Sequence, residues 1–207
     1  MKEWEYKWLL QAETFRRLDA WTKKAYGGER SQVLQINYYY DTSAFYFHRQ
    51  AVTVRIRQRG DALAGMVKTH NRRNGSRESE EEAFVVETVP QSLIYQNHLL
   101  DLQGQLTTDR TRLSLPNGLM LCMDQSFYLG MADYEIELEY PEASSAQALS
   151  LARDIQYVLN VLGEDKTCIS ADERPFSIRS KSARFFTAKA KMPPKERIDL
   201  NKCSHLY

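Results

Sequence analysis

Residues Glu3-Trp4-Glu5-Tyr6-Lys7-Trp8 alternate without a break, with Glu3, Glu5 and Lys7 on one side and Trp4, Tyr6 and Trp8 on the other. A period of two is the pattern of a β-strand with one polar and one apolar face. Taken alone, such a strand has an ordinary solvated outer face. The same layout recurs, with the charges sorted by strand. Between Thr53 and Arg59, Arg55, Arg57 and Arg59 share a face opposite Val54, Ile56 and Gln58. Arg110 and Arg112 again stand two apart, and Glu135, Glu137 and Glu139 line one face against Ile136, Leu138 and Tyr140.

A strand facing water usually mixes signs, because neighbouring like charges repel and gain nothing. Strands of a single sign make sense when they curl around a common interior. There the carboxylates would hold a divalent metal and the arginines an anion. Hard cations such as Mg²⁺ take oxygen ligands and are commonly shared between carboxylates and phosphates. Arginine and lysine are the matching partners of phosphate oxygens. The ligand this pattern predicts is a metal–polyphosphate complex.

These residues resemble the CYTH domain, or triphosphate tunnel metalloenzyme, family in its Firmicutes-type branch. Glu3-x-Glu5-x-Lys7 looks like the ExExK signature, Tyr38-Tyr39-Tyr40-Asp41-Thr42 like the "YFDT" strand, and Val54-Arg55-Ile56-Arg57 like "LRIR". Lys68 falls where the family has a lysine on the next strand. Arg110 and Arg112, Cys122-Met123-Asp124, Leu129-Gly130 and Asp133 to Glu139 follow in the family's order. Arg179 to Phe186 resembles a C-terminal "SKxxRFF" element, so the likeness runs from Glu3 to about Phe186.

The resemblance implies an α+β fold: a closed eight-stranded antiparallel β-barrel, or tunnel, with helices packed outside. It implies a metal-dependent triphosphatase using Mg²⁺ or Mn²⁺. Glu5, Lys7 and Arg57 would be catalytic. Lys7, Arg55, Arg57, Lys68, Arg110, Arg112, Lys181 and Arg184 would bind substrate, and Glu3, Glu5, Asp124, Glu135 and Glu137 would bind metal. Two registers stay open at this stage: Glu135/Glu137 against Glu137/Glu139 as the metal pair, and whether Glu80, Glu82 or Glu87 is the acidic residue of the strand after Lys68.

At 207 residues the chain fits one domain over 1–191, with a loosely attached tail over 192–207. With 43% hydrophobic and 27% charged residues it has an ordinary globular composition. A net charge of +1 and the lack of aromatic interleaving among basic residues argue against a nucleic-acid partner, despite Arg72, Arg73 and the basic tail. Cys122, Cys168 and Cys203 make no CxxC pair and no zinc spacing, which predicts reduced thiols in a cytoplasmic setting. The chain reads directly into a charged strand, so no leader is expected, and no apolar run approaches the ~18–20 residues of a membrane span. There is no GxxxxGK[ST] loop. A monomer or homodimer is expected.

Along the chain, helices are predicted over 11–26, 92–102 and 144–162. Ser144-Ser145 should cap the last and Gly163 should end it. Leu149, Ala152, Ile155, Leu159 and Leu162 are its expected core stripe. Strands are predicted over 33–40, 51–59, 62–70, 83–87, 106–115 and 119–125, with Phe45 to His48 a further short one. Residues 71–82 read as a flexible hairpin tip. Inorganic triphosphate is the simplest substrate, since it asks only for charge and metal. Thiamine or nucleoside triphosphate is the alternative within the same fold. A module that binds a polyphosphate ligand without turnover is the alternative of another class.

Overall fold

The structure, a computed structural model, describes residues 4–26, 29–73, 76–163, 169–170 and 179–192, with the chain path alone at 70–73, 76–79 and 169–170. Its strands are β1 (Trp4–Leu10), β2 (Arg30–Asp41), β3 (Val52–Arg59), β4 (Ala62–Arg73), β5 (Ser76–Phe84), β6 (Ser92–Tyr95), β7 (His98–Ser114), β8 (Met120–Tyr128), β9 (Met131–Tyr140) and β10 (Ile169–Ser170). Its helices are α1 (Ala12–Ala25), α2 (Tyr46–Arg49), α3 (Ser145–Val161) and α4 (Lys181–Lys189). The strands form one antiparallel sheet in the order β10-β1-β9-β8-β7-β2-β3-β4-β5, with β6 attached to β7. The α+β class and the antiparallel pairing are as the sequence predicts. Among the described residues the path has two ends, and no ladder joins β5 to β1 or β10.

The register decides which residues share a face. Lys7 pairs Glu137, Glu137 pairs Cys122, and Cys122 pairs Arg112. Glu135 pairs Asp124, Asp124 pairs Arg110, and Arg110 pairs Val33. On the other half, Asn37 pairs Arg57 and Thr53 pairs Lys68, which is followed by Glu81. Directly paired residues point the same way, so all the sorted charges share one surface of the sheet. The opposite surface is apolar. Trp8, Ile136, Leu138, Leu121 and Leu113 there pack beneath Leu18 of α1 and Ala148, Ala152, Ile155 and Leu159 of α3. Trp8 Nε1 donates to Gln156 Oε1 at 3.1 Å, satisfying the indole as it is buried.

Several local expectations change. The buried stripe of α3 begins at Ala148, and Leu149 is 40% exposed. Ser144 does not cap α3; its hydroxyl donates to the Asn117 carbonyl instead. Phe45 to His48 do not form a strand. Asp41 accepts from the backbone N–H of Thr42, Phe47 and His48, and these bonds wind the segment into α2. The predicted helix over 92–102 is instead the hairpin of β6 and β7. Gln96 and Asn97 both take positive φ, 47° and 61°, the geometry of a two-residue hairpin turn. Residues 71–82 belong largely to the β4–β5 ladder, and the strand expected over 83–87 ends at Phe84. Beyond Met192 the proposed tail lies outside the described residues, as do Glu3, Cys168 and Cys203. No described helix is long and apolar enough to cross a membrane.

Helix α4 lies on the charged surface at one end. Phe185 and Phe186 bury against Tyr39, Leu106 and Tyr128. Gly104 makes room: with φ at +145°, a Cβ there would stand 3.0 Å from Phe185 Cζ.

Candidate active site

The charged surface divides into an acidic half that is internally neutralised and a basic half that is not. In the acidic half, Asp124, Glu135 and Glu137 are buried, and one carboxylate oxygen from each lies within 4.8 Å of the others. Four cations hold them together. Arg110 donates Nε to Asp124 Oδ1 at 2.7 Å and Nη2 to Asp124 Oδ2 at 2.6 Å, and also contacts Glu137. Lys7 Nζ stands 2.7 Å from Glu137 Oε1 and 3.2 Å from Glu5 Oε1. Lys181, at the start of α4, lies 2.7 Å from Asp124 Oδ2 and 3.2 Å from Glu137 Oε1 and also contacts Glu135. Arg184 donates Nε to Asp133 Oδ2 at 2.6 Å and contacts Glu135.

The titration of these groups follows from that packing. Burial alone would raise the Glu137 carboxyl, but Lys181, Lys7 and Arg110 hold it well below the carboxylate range. Burial would likewise lower Lys7 and Lys181, and the surrounding carboxylates reverse the effect, so both stay protonated. Glu5 differs: burial raises its carboxyl against the pull of Lys7, with Glu137 adding to the rise. The Cys122 thiol beside Glu139 is pushed up by burial, which removes it as a nucleophile.

In the basic half, Arg57 donates to Asn37 Oδ1 at 3.0 Å and Arg59 to Gln35 Oε1 at 3.2 Å. Neither they nor Arg112 have a carboxylate partner among the described residues. Burial and the adjacent Arg55 and Arg59 push Arg57 down to about 9. Arg55 reaches Glu81 only at 3.7 Å, and its buried Nε has no hydrogen-bond partner among the described residues. Unsatisfied buried donors are rare in folded proteins, and this one stands beside Arg57, another buried positive charge.

The structure thus brings together Glu5, Lys7, Asp124, Glu135 and Glu137 on one side and Arg55, Arg57, Lys68 and Arg112 on the other. Lys7, Arg110, Lys181 and Arg184, expected on substrate, here stand on carboxylates. Of the two open registers, the glutamates grouped with Asp124 are Glu135 and Glu137, while the Glu139 side chain is 38% exposed. The acidic residue after Lys68 is none of Glu80, Glu82 or Glu87. It is Glu81, 2.8 Å from Lys68 Nζ; burial would raise its carboxyl, but that hydrogen bond lowers it. The register was the missing signal: within Glu80-Glu81-Glu82 only the ladder with Lys68 selects the inward residue. Asp133, to which the sequence assigns no separate role, anchors Arg184 and accepts from Tyr128 Oη at 2.5 Å.

A model of the CYTH domain matches residues 1–168. The chain belongs to the CYTH family. Among solved structures it is similar to a protein of Bacillus halodurans provisionally assigned as an adenylate cyclase, with TM-score 0.61 and 24% identity over 90% of this chain and 100% of that one. It is also similar to a provisionally assigned adenylyl cyclase from Hippeastrum whose dominant activity is that of a triphosphatase, with TM-score 0.60 and 19% identity over 93% and 98% of the two chains. A Pyrococcus horikoshii protein aligns at TM-score 0.51 and 14% identity over 90% and 99%. At these identities the likeness establishes the fold alone. No curated protein sequence matches the chain.

Proposed function

We propose that the protein is a metal-dependent triphosphatase acting on inorganic triphosphate inside a tunnel formed by closure of this sheet. The observation that carries the reading is the division of one surface into a buried three-carboxylate cluster and a set of arginines of which Arg57 has no carboxylate partner among the described residues and Arg55 keeps a buried Nε unsatisfied. Asp124, Glu135 and Glu137, with Glu5 at the margin, offer the all-oxygen donor set that suits Mg²⁺ or Mn²⁺. A bound ion would supply positive charge to the phosphate oxygens during transfer.

Arg55, Arg57 and Lys68 bind and orient the phosphate chain and neutralise charge as it develops. Glu81 fixes the Lys68 ammonium and draws Arg55 toward the same point. Arg110 fixes the direction of the Asp124 carboxylate through its two-point contact. Lys7 bridges Glu5 and Glu137, keeping the two carboxylates on adjacent strands from repelling one another. A purely anion-binding module would gain nothing from the buried carboxylates.

The test is phosphate release from inorganic triphosphate, thiamine triphosphate, ATP and pyrophosphate with Mg²⁺ or Mn²⁺, using Glu5→Gln and Arg57→Ala as controls. Release from inorganic triphosphate, lost in both variants, is expected. Tight triphosphate binding through Arg57 without release under either ion would overturn the enzymatic reading.

A further inference from the structure

The three buried carboxylates lie within 4.8 Å of one another, and of the described cations around them Lys181 stands against the whole group. Its ammonium touches all three residues of the cluster. Arg110 and Lys7 approach the group from neighbouring strands, whereas Lys181 enters from α4, a separate element laid on the sheet. We propose that Lys181 is the resident cation of the metal-free site, that a divalent ion displaces it, and that metal loading therefore loosens α4. This rests on the reading that a divalent ion enters the Asp124–Glu135–Glu137 cluster.

The rest of α4 is built to allow such an exchange. Its first turn is held by hydroxyls: Ser180 Oγ accepts from the Ala183 N–H, and Thr53 Oγ1 donates to Ser182 Oγ at 3.1 Å. Neither contact depends on the carboxylates. Further along, Phe185 and Phe186 supply an apolar seat that persists when the ammonium is released. Among the described residues only Lys181 and Arg184 tie α4 to the acidic cluster, and both use Glu135. An ion coordinated by Glu135 competes with both ties at once. The freed ammonium stays attached to a seated helix beside the charged surface, where a phosphate would be its next partner.

The experiment is Mn²⁺ binding by calorimetry, with amide exchange over 181–189 followed with and without saturating Mn²⁺. Wild type and Glu137→Gln are compared first: wild-type binding that Glu137→Gln loses establishes ion entry into the cluster. No wild-type binding, or binding unaffected by Glu137→Gln, would refute that underlying reading. Lys181→Met then removes the competitor. Displacing one charged hydrogen-bonding partner corresponds to roughly a tenfold to hundredfold gain in Mn²⁺ affinity in that variant. In wild type, Mn²⁺ should speed exchange over 181–189, and in Lys181→Met the increase should be smaller, because only the Arg184 tie is left to lose. Unchanged or weaker Mn²⁺ affinity in a folded Lys181→Met protein would overturn the exchange proposal while leaving the metal site standing. If Lys181→Met does not fold, the wild-type exchange decides alone, and exchange over α4 that Mn²⁺ leaves unchanged or slows would overturn it.

Discussion

Replacing Arg57 by Met should make the ligand-free protein more stable while abolishing its affinity for triphosphate. Arg57 is pushed down from 12.5 to about 9 by burial and by Arg55 and Arg59. A basic group depressed in the folded state costs stability wherever it is charged, fully so below its folded value and progressively less as pH rises above it. At ~1.4 kcal/mol per tenfold change, the nominal cost near pH 7 is about 5 kcal/mol. Counter-ions and residual solvent reduce this by half or more, to about 2 kcal/mol. The lost bond to Asn37 takes back about 1 kcal/mol. The expected net gain of about 1 kcal/mol corresponds to a rise in Tm of roughly 2–4 °C for a chain of this size. Thermal melts in low-salt, phosphate-free buffer measure it. Adding inorganic triphosphate at a hundredfold excess over its Kd should stabilise wild type by about 2.7 kcal/mol and leave Arg57→Met unmoved. A lower Tm for Arg57→Met without ligand, or a retained triphosphate shift, would refute the argument that these arginines are destabilising in the absence of an anion.

Other consequences are equally direct. Arg110→Met breaks a buried ion pair and strips Asp124 of its two-point partner, which should cost about 3–5 kcal/mol in denaturant unfolding. Glu137 is held below the carboxylate range, so its contribution is complete above its ordinary value of 4.5 and is lost only as pH falls through its lower folded value. The Tm gap between wild type and Glu137→Gln should therefore be wide at pH 7 and close in strong acid. Gly104→Ala places a Cβ against Phe185 at a backbone conformation that suits glycine, and should raise proteolysis and amide exchange at α4 before it lowers global stability.

Much of the site was legible in the sequence because strand alternation is strictly local. Arg55, Arg57, Glu135 and Glu137 announce their shared faces through i, i+2 spacing alone. What failed was information carried by partners. Ser92 to Leu102 has enough apolar residues to pass for a helix, and only the positive φ at Gln96 and Asn97, with pairing to β7, makes it a hairpin. Phe45 to His48 look strand-like until Asp41 supplies acceptors to their N–H groups. Glu81 is hidden among flanking glutamates because a run of like residues has no visible phase; the β4 register supplies it. Lys181 and Arg184 could be placed near the site by resemblance, but their engagement with the carboxylates is a property of how α4 docks.

The most direct test is a crystal structure of the protein with Mn²⁺ and a non-hydrolysable imidotriphosphate, with the metal located by anomalous scattering. The account predicts an anomalous peak bounded by Asp124, Glu135 and Glu137, with the phosphate chain lying against Arg55, Arg57 and Lys68. A metal bound away from the three carboxylates, or a phosphate chain that avoids Arg57, would contradict it.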